Sequence, residues 1–191
     1  MALMANKEYI DFIDDFIKSE EFTTFKKEIE KTFGITCLDY EINIKDMAFE
    51  YDGYAKIETK ARTIFSDDYS NVKEIIFYNK SIEKFIKDKF YKLEHDELVF
   101  QEIIKVYIKY ILVHELVHVY QFKLGKLTKE IADKENLLEY RDRELEIEAN
   151  EIAKIITSNL GELEKQLIKF YDKQNIDNND VEKILKIFNK K

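Results

Sequence analysis

Residues 111–120 read Ile-Leu-Val-His-Glu-Leu-Val-His-Val-Tyr, an apolar run interrupted by two histidines and one glutamate. Apolar residues recur at helical spacing over about residues 96–124, and Gly125 then supplies a helix stop. The sequence therefore predicts one long helix in the middle of the chain. On such a helix His114 and His118 lie one turn apart, about 40° round, with their side chains about 6 Å apart on one face.

This histidine pair has the spacing of two zinc ligands. Two imidazole nitrogens at that separation can bind one zinc ion at about 2.0–2.1 Å each. Glu115 lies about 100° round the helix from His114, so it can reach a water at an open coordination position more easily than the ion itself. Polar side chains inside an apolar helix are costly unless something satisfies them, and a metal ion would do so. The alternative is a pair of core histidines that hydrogen-bond to their neighbours.

A third protein ligand is expected from elsewhere in the chain, because catalytic zinc sites usually have three. No histidine follows His118, so the chain lacks the third, downstream histidine with which the metzincin motif continues. His95 is the remaining histidine, and its charged segment, residues 92–97, is typical of solvated surface. A carboxylate ligand is therefore favoured. Glu115-x-x-His118 is also half of the carboxylate di-iron signature, which needs a second Glu-x-x-His on another helix. The remaining histidine, His95, has lysine instead of glutamate three residues before it, at position 92, so a di-iron site is excluded.

The carboxylate is expected on a second helix, predicted over about residues 137–160 and closed by Gly161. Glu146 shares a stripe of that helix with Ala149 and Ala153, two small residues that would let another helix approach closely. We therefore predict Glu146 as the third metal ligand. Asn150 lies one turn further on, where its side chain could hydrogen-bond a ligand histidine.

The motif His114-Glu-x-x-His118, followed by Glu146-x-x-Ala149-Asn150-x-x-Ala153, resembles the gluzincin metallopeptidases, and among them the ImmA/IrrE type. The resemblance covers roughly residues 70–160, with Ile152 where the family has phenylalanine. It implies a zincin-like domain, a zinc ion held by His114, His118 and Glu146, and peptide hydrolysis. It also implies an edge strand before the active-site helix, along which an extended peptide would bind by β-augmentation. The residues of that strand are Ile75, Ile76, Phe77 and Tyr78.

The order of patterns along the chain predicts a single α+β domain over residues 1–191. Helical spacing fits residues 1–34, either as one bent helix or as two short ones, and Gly34 ends it. Alternating residues over 35–78 predict a small antiparallel or mixed sheet of three to four strands. Residues 79–160 carry the active-site helices, and this segment begins with a short helix that Ser81 could cap. Residues 161–191 are predicted to form a helical C-terminal segment.

Charge and cysteine content narrow the function classes. A formal net charge of −8 and a pI near 5.1 disfavour nucleic acid as a partner, because the protein repels a phosphate backbone. The single cysteine, Cys37, excludes an internal disulfide and a cysteine-rich zinc site, and its strand-like surroundings predict that it is buried. Neither a leader nor a membrane-spanning segment is recognisable, so we expect a cytoplasmic protein without a membrane partner.

The function expected from these features is that of a zinc-dependent metalloendopeptidase. A zinc-bound water would attack a protein or peptide substrate, and Glu115 would take its proton. Tyr120, Tyr140 and Tyr171 are open alternatives for a donor to the oxyanion. The alternative function is a non-catalytic, zinc-stapled regulatory or protein-binding module associated with phage or mobile elements.

Overall fold

A computed structural model of the chain describes residues 9–52, 55–90 and 97–158. His95 and the predicted C-terminal helical segment lie outside the described residues. The described part is an α+β fold, as the sequence predicts. Its helices are α1 Ile10–Ile17, α2 Glu20–Phe33, α3 Asn79–Phe90, α4 Glu97–Lys123, α5 Lys129–Glu135 and α6 Glu144–Ser158. Its strands are β1 Glu41–Lys45, β2 Ala48–Asp52, β3 Ala55–Thr59, β4 Ala61–Phe65 and β5 Val72–Tyr78.

The N-terminal segment forms two short helices, which decides between the two predicted arrangements. Helix α2 begins after Ser19, whose hydroxyl accepts a hydrogen bond from the backbone N–H of Phe22. It ends at Gly34, whose φ of 66° is a left-handed conformation that suits glycine. Cys37 follows in an exposed turn, so the prediction that it is buried is wrong.

The strands form two sheets. A mixed three-stranded sheet has the order β1-β5-β4, with β1 parallel and β4 antiparallel to β5. Strands β2 and β3 pair with each other as a separate antiparallel sheet. Strand β5 is therefore central, and β4 forms an edge of its sheet.

This topology corrects the predicted substrate-binding strand. The side chains of residues 75–78 are at most 6% exposed, and β5 has a hydrogen-bonded neighbour on each side. The prediction that Ile75, Ile76, Phe77 and Tyr78 bind an extended peptide is therefore wrong. The physical reason is visible in the composition, because an unbroken apolar run is typical of a strand covered on both faces.

Helix α4 runs through the core and packs against α2, α6 and β4. Neighbouring residues such as Leu112 and Val113, and again Leu116 and Val117, are fully buried, so the helix is covered on several sides. It ends close to the predicted position, where the N–H groups of Gly125 and Lys126 bond back to the last turn in a Schellman pattern. In the part of the chain that the structure describes, none of the helices is both long enough and apolar enough to cross a membrane.

Helix α6 begins later than predicted, at Glu144 instead of about residue 137. The side chain of Glu135 in α5 accepts hydrogen bonds from the N–H groups of Glu144 and Leu145 at 3.0 and 3.3 Å, which caps the first turn of α6. A single 3-10 turn, Tyr140–Asp142, precedes it. Ala149 and Ala153 are fully buried in the core that α4 and α6 share, as the small-residue stripe predicts.

Helix α3 also departs from its predicted start. It begins at Asn79, so Ser81 lies inside the first turn and is fully buried. The prediction that Ser81 caps this helix is wrong. Asn79 accepts a hydrogen bond from the N–H of Lys80 at 2.7 Å and donates one to Asp14 at 2.8 Å.

Candidate metal centre

The two predicted histidine ligands and the predicted glutamate ligand converge on one point. His114 and His118 project from α4, and Glu146 projects from the first turn of α6. The Nε2 atoms of the histidines are 3.1 Å apart, and Glu146 Oε2 lies 3.2 Å from His114 Nε2. Glu146 Oε1 lies 3.6 Å from His118 Nε2. Among the described residues these three side chains form the group that could hold a metal ion.

These separations suit a tetrahedral ion. Ligands at about 2.0–2.2 Å in a tetrahedral arrangement lie about 3.3–3.6 Å from one another. Glu146 Oε2 is buried 3.2 Å from His114 Nε2, so its electron pairs are directed into the cluster. Two imidazoles and one carboxylate are the ligand set of a catalytic zinc site with one open position. The residues therefore fit zinc.

The charges of the cluster favour a cation between the helices. Burial lowers the pKa of His118, but the hydrogen bond and negative charge of Glu146 outweigh burial and raise that pKa to about 9. Burial likewise opposes the ionised form of Glu146, yet hydrogen bonds from His114 and His118 bring the pKa of Glu146 far below its ordinary value. A proton and a metal ion compete for the same electron pair of His118, so metal binding would release a proton.

Glu115 lies beside the cluster and is not one of its ligands. Its side chain is buried, and its Oε2 accepts a hydrogen bond from the hydroxyl of Thr63 in β4 at 2.8 Å. This bond ties one carboxylate oxygen to the edge strand. A single turn of α4 therefore supplies two ligands and a separate carboxylate, as the spacing predicts.

Gln121, and not Asn150, bonds a ligand histidine. His118 Nδ1 is 2.9 Å from Gln121 Oε1, and Gln121 is 1% exposed. The side chain of Asn150 donates to the backbone carbonyl of Glu146 and accepts from the hydroxyl of Tyr110, both at 2.8 Å. The predicted bond from Asn150 to a histidine is therefore wrong, because the amide bonds back to its own helix and to α4.

Sequence reasoning missed Thr63 and Gln121. Gln121 follows His118 by three residues, a spacing at which helical side chains are neighbours, so this signal was available. The sequence carries no such signal for Thr63, because this residue lies on a strand 52 residues before Glu115.

A cleft of about 900 Å³ opens onto the cluster. The whole of strand β4 lines this cleft, and α4, α5, α6 and the 3-10 turn also contribute lining residues. Thr63 lies in the middle of β4 and bonds Glu115. Strand β4 and the three ligands therefore border the same cleft.

Of the three tyrosines considered for the oxyanion, Tyr140 lies in this cleft. Burial raises its pKa, and so do the negative charge of Glu146 and a hydrogen bond to it; the side chain of Asn150 is also within hydrogen-bond reach. Its hydroxyl is therefore protonated at neutral pH and can donate. Tyr120 stacks on Phe33 with ring centroids 5.3 Å apart, and Tyr171 lies outside the described residues.

Comparison of the chain with protein-family models, curated proteins and solved structures finds no match. The gluzincin resemblance therefore rests on the two sequence motifs alone.

Proposed function

We propose that this protein is a zinc-dependent metalloendopeptidase. The observation that carries the proposal is the triangle of His114, His118 and Glu146 ligand atoms, 3.1–3.6 Å apart, which lines an open cleft beside a buried glutamate. A zinc ion bound there would polarise a scissile carbonyl and lower the pKa of a water molecule.

Glu115 is the general base in this proposal. It accepts a proton from the attacking water and later delivers it to the leaving amine. The hydrogen bond from Thr63 holds one oxygen of Glu115, which leaves the other oxygen for proton transfer. Tyr140 is proposed as the donor to the oxyanion, because its hydroxyl stays protonated beside Glu146.

The proposed substrate is an extended segment of a protein or peptide lying along β4. This strand pairs with β5 on one side, and its residues line the cleft. An extended chain added to such an edge gains main-chain hydrogen bonds, and alternate side chains then face the pockets of the cleft. The cytoplasmic location stays a prediction.

The test is to incubate the zinc-loaded protein with a mixed peptide library and to identify new termini by mass spectrometry. We expect cleavage by the unmodified protein and by Glu151→Gln, which changes an exposed glutamate of α6. Glu115→Gln should bind zinc equally and lose cleavage by about 10²–10⁴-fold, the usual contribution of a general base.

Equal cleavage by Glu115→Gln would contradict the mechanism. No cleavage of any peptide, together with stoichiometric zinc binding, would favour the non-catalytic zinc-stapled module instead. Such a module needs no general base and should retain its partner when Glu115 is changed.

A further inference from the structure

A buried amide connects one metal-ligating histidine to the helix that carries the third ligand. Gln121 lies one turn after His118 on α4, and all of its hydrogen-bonding atoms face protein groups. Its Oε1 is 2.9 Å from His118 Nδ1. Its Nε2 donates to the carbonyl of Leu145 at 3.0 Å and to Glu148 Oε2 at 2.9 Å.

These partners determine which way the amide of Gln121 points. The carbonyl of Leu145 and the carboxylate of Glu148 can only accept hydrogen bonds, so the NH₂ group must face them. The amide oxygen must then face His118, and His118 Nδ1 must carry the hydrogen. The Nε2 electron pair of a neutral His118 is thereby directed at His114 and Glu146, which is the tautomer that a metal ion at Nε2 requires.

The same amide positions the second ligand helix. Leu145 immediately precedes Glu146 in the first turn of α6, so the bond to the Leu145 carbonyl links that turn to α4. Glu148 continues the connection, because its other oxygen binds Lys126 at 2.8 Å just beyond the end of α4. One buried side chain therefore acts on His118 directly and on Glu146 through the adjacent backbone.

We propose that Gln121 is a positioning residue for the metal site: it selects the zinc-binding tautomer of His118 and holds Glu146 at ligand distance. This inference rests on the proposed function only in its metal site and not in its peptidase activity. A bond to the non-ligating nitrogen of a ligand histidine typically affects metal affinity by about 10–100-fold.

The experiment measures the zinc dissociation constant by competition with a chromophoric chelator. Gln121→Met keeps the volume of the side chain and removes its hydrogen bonds, so we expect zinc affinity to fall about 10–100-fold. The visible spectrum of the cobalt-substituted protein should change as well, since it reports ligand geometry. Glu151→Gln is the matched control: it changes an exposed glutamate of α6 outside the hydrogen bonds of Gln121 and should bind zinc as the unmodified protein does.

The double variant Gln121→Glu with Glu148→Gln exchanges amide and carboxylate. The new carboxylate accepts from His118 Nδ1, and the new amide donates to that carboxylate, whereas the bond to the Leu145 carbonyl is not restored. The part of the lost affinity that comes from the hydrogen bond to His118 should therefore return. Recovery identifies the hydrogen bond to His118, and not packing alone, as the cause. A merely structural role would lower the melting temperature of Gln121→Met and leave its zinc affinity and cobalt spectrum unchanged.

Two results would overturn the proposal, and they are distinguishable. If the unmodified protein binds zinc and Gln121→Met binds it within about twofold, Gln121 has no positioning role. If the unmodified protein binds no zinc, the metal site of the proposed function and the role of Gln121 both fail.

Discussion

Helices α4 and α6 both contribute ligands to the candidate metal site, but they are held in different ways. Helix α4 is buried on several sides, and its two histidines lie one turn apart on the same backbone. Helix α6 is partly exposed, with Ile147 at 42% and Ile155 at 67%, and its ligand Glu146 approaches only because α6 packs against α4. The histidine pair is therefore set by local helix geometry, whereas the third ligand depends on docking.

The strongest test of the two ligands on α4 removes one histidine. His114→Ala or His118→Ala should abolish stoichiometric zinc, because the histidine and the glutamate that remain come from different helices and no ligand pair on one helix is left. Metal analysis of the purified variants measures this loss. His95→Ala is the matched control and should retain about one zinc per chain. Full occupancy in both α4 variants would contradict the site.

The corresponding test of the ligand on α6 removes the side chain of Glu146. Glu146→Ala should weaken zinc binding severely but leave the histidine pair able to hold some metal, since the pair belongs to α4 alone. Alanine at the exposed Glu151 of the same helix should change zinc affinity little. Titration against a competing chelator compares the two. Equal affinities would mean that another group is the third ligand.

The pH dependence of stability and zinc affinity tests the contact between the two helices without a mutation, because His118 of α4 and Glu146 of α6 are charged partners. Folding raises the pKa of His118 from about 6.5 to about 9, so this pairing stabilises the metal-free protein fully below about pH 6.5. The stabilisation should be lost as the pH rises through 9. Apparent zinc affinity should change in the opposite sense, rising about tenfold per pH unit up to about pH 9, because zinc must displace one proton.

Thermal melts with a chelator and zinc titrations at several pH values measure the two trends. In Glu146→Gln the stability of the metal-free protein should depend less on pH, because this change removes the carboxylate that raises the pKa of His118. A metal-free protein that keeps the same stability from pH 6.5 to pH 9 would contradict the pairing.

The smallest expected effect concerns the docking surface itself. Ala153 is fully buried in the shared core, so Ala153→Leu should overpack the contact and destabilise the protein by about 1–3 kcal/mol. Chemical denaturation measures the loss, and zinc affinity should fall with it because Glu146 moves. Glu151→Leu places the same side chain at an exposed position of α6 and should do neither. A stable Ala153→Leu variant with unchanged zinc affinity would show that the close approach is dispensable.

The sequence predicts well those features of the fold that depend on local helix geometry, and poorly those that depend on packing between elements. The bounds of α4, Glu97–Lys123, lie within a residue of the prediction, because apolar spacing and Gly125 are local signals. The predicted start of α6 is wrong, because its cap is the side chain of Glu135 from another helix. The predicted edge strand is wrong as well, since strand order depends on the partners of β5 and not on its own residues.

The sequence by itself determined the histidine pair and the glutamate between them, because backbone hydrogen bonds four residues apart impose their relative directions. It also favoured a carboxylate as the third ligand, since no histidine follows His118 and His95 lies in a charged segment. Only the tertiary structure decided that Glu146 reaches the pair, that Thr63 holds Glu115, and that β4 borders the cleft. These contacts join residues far apart in the chain, so they depend on how helices and strands pack and not on any local repeat.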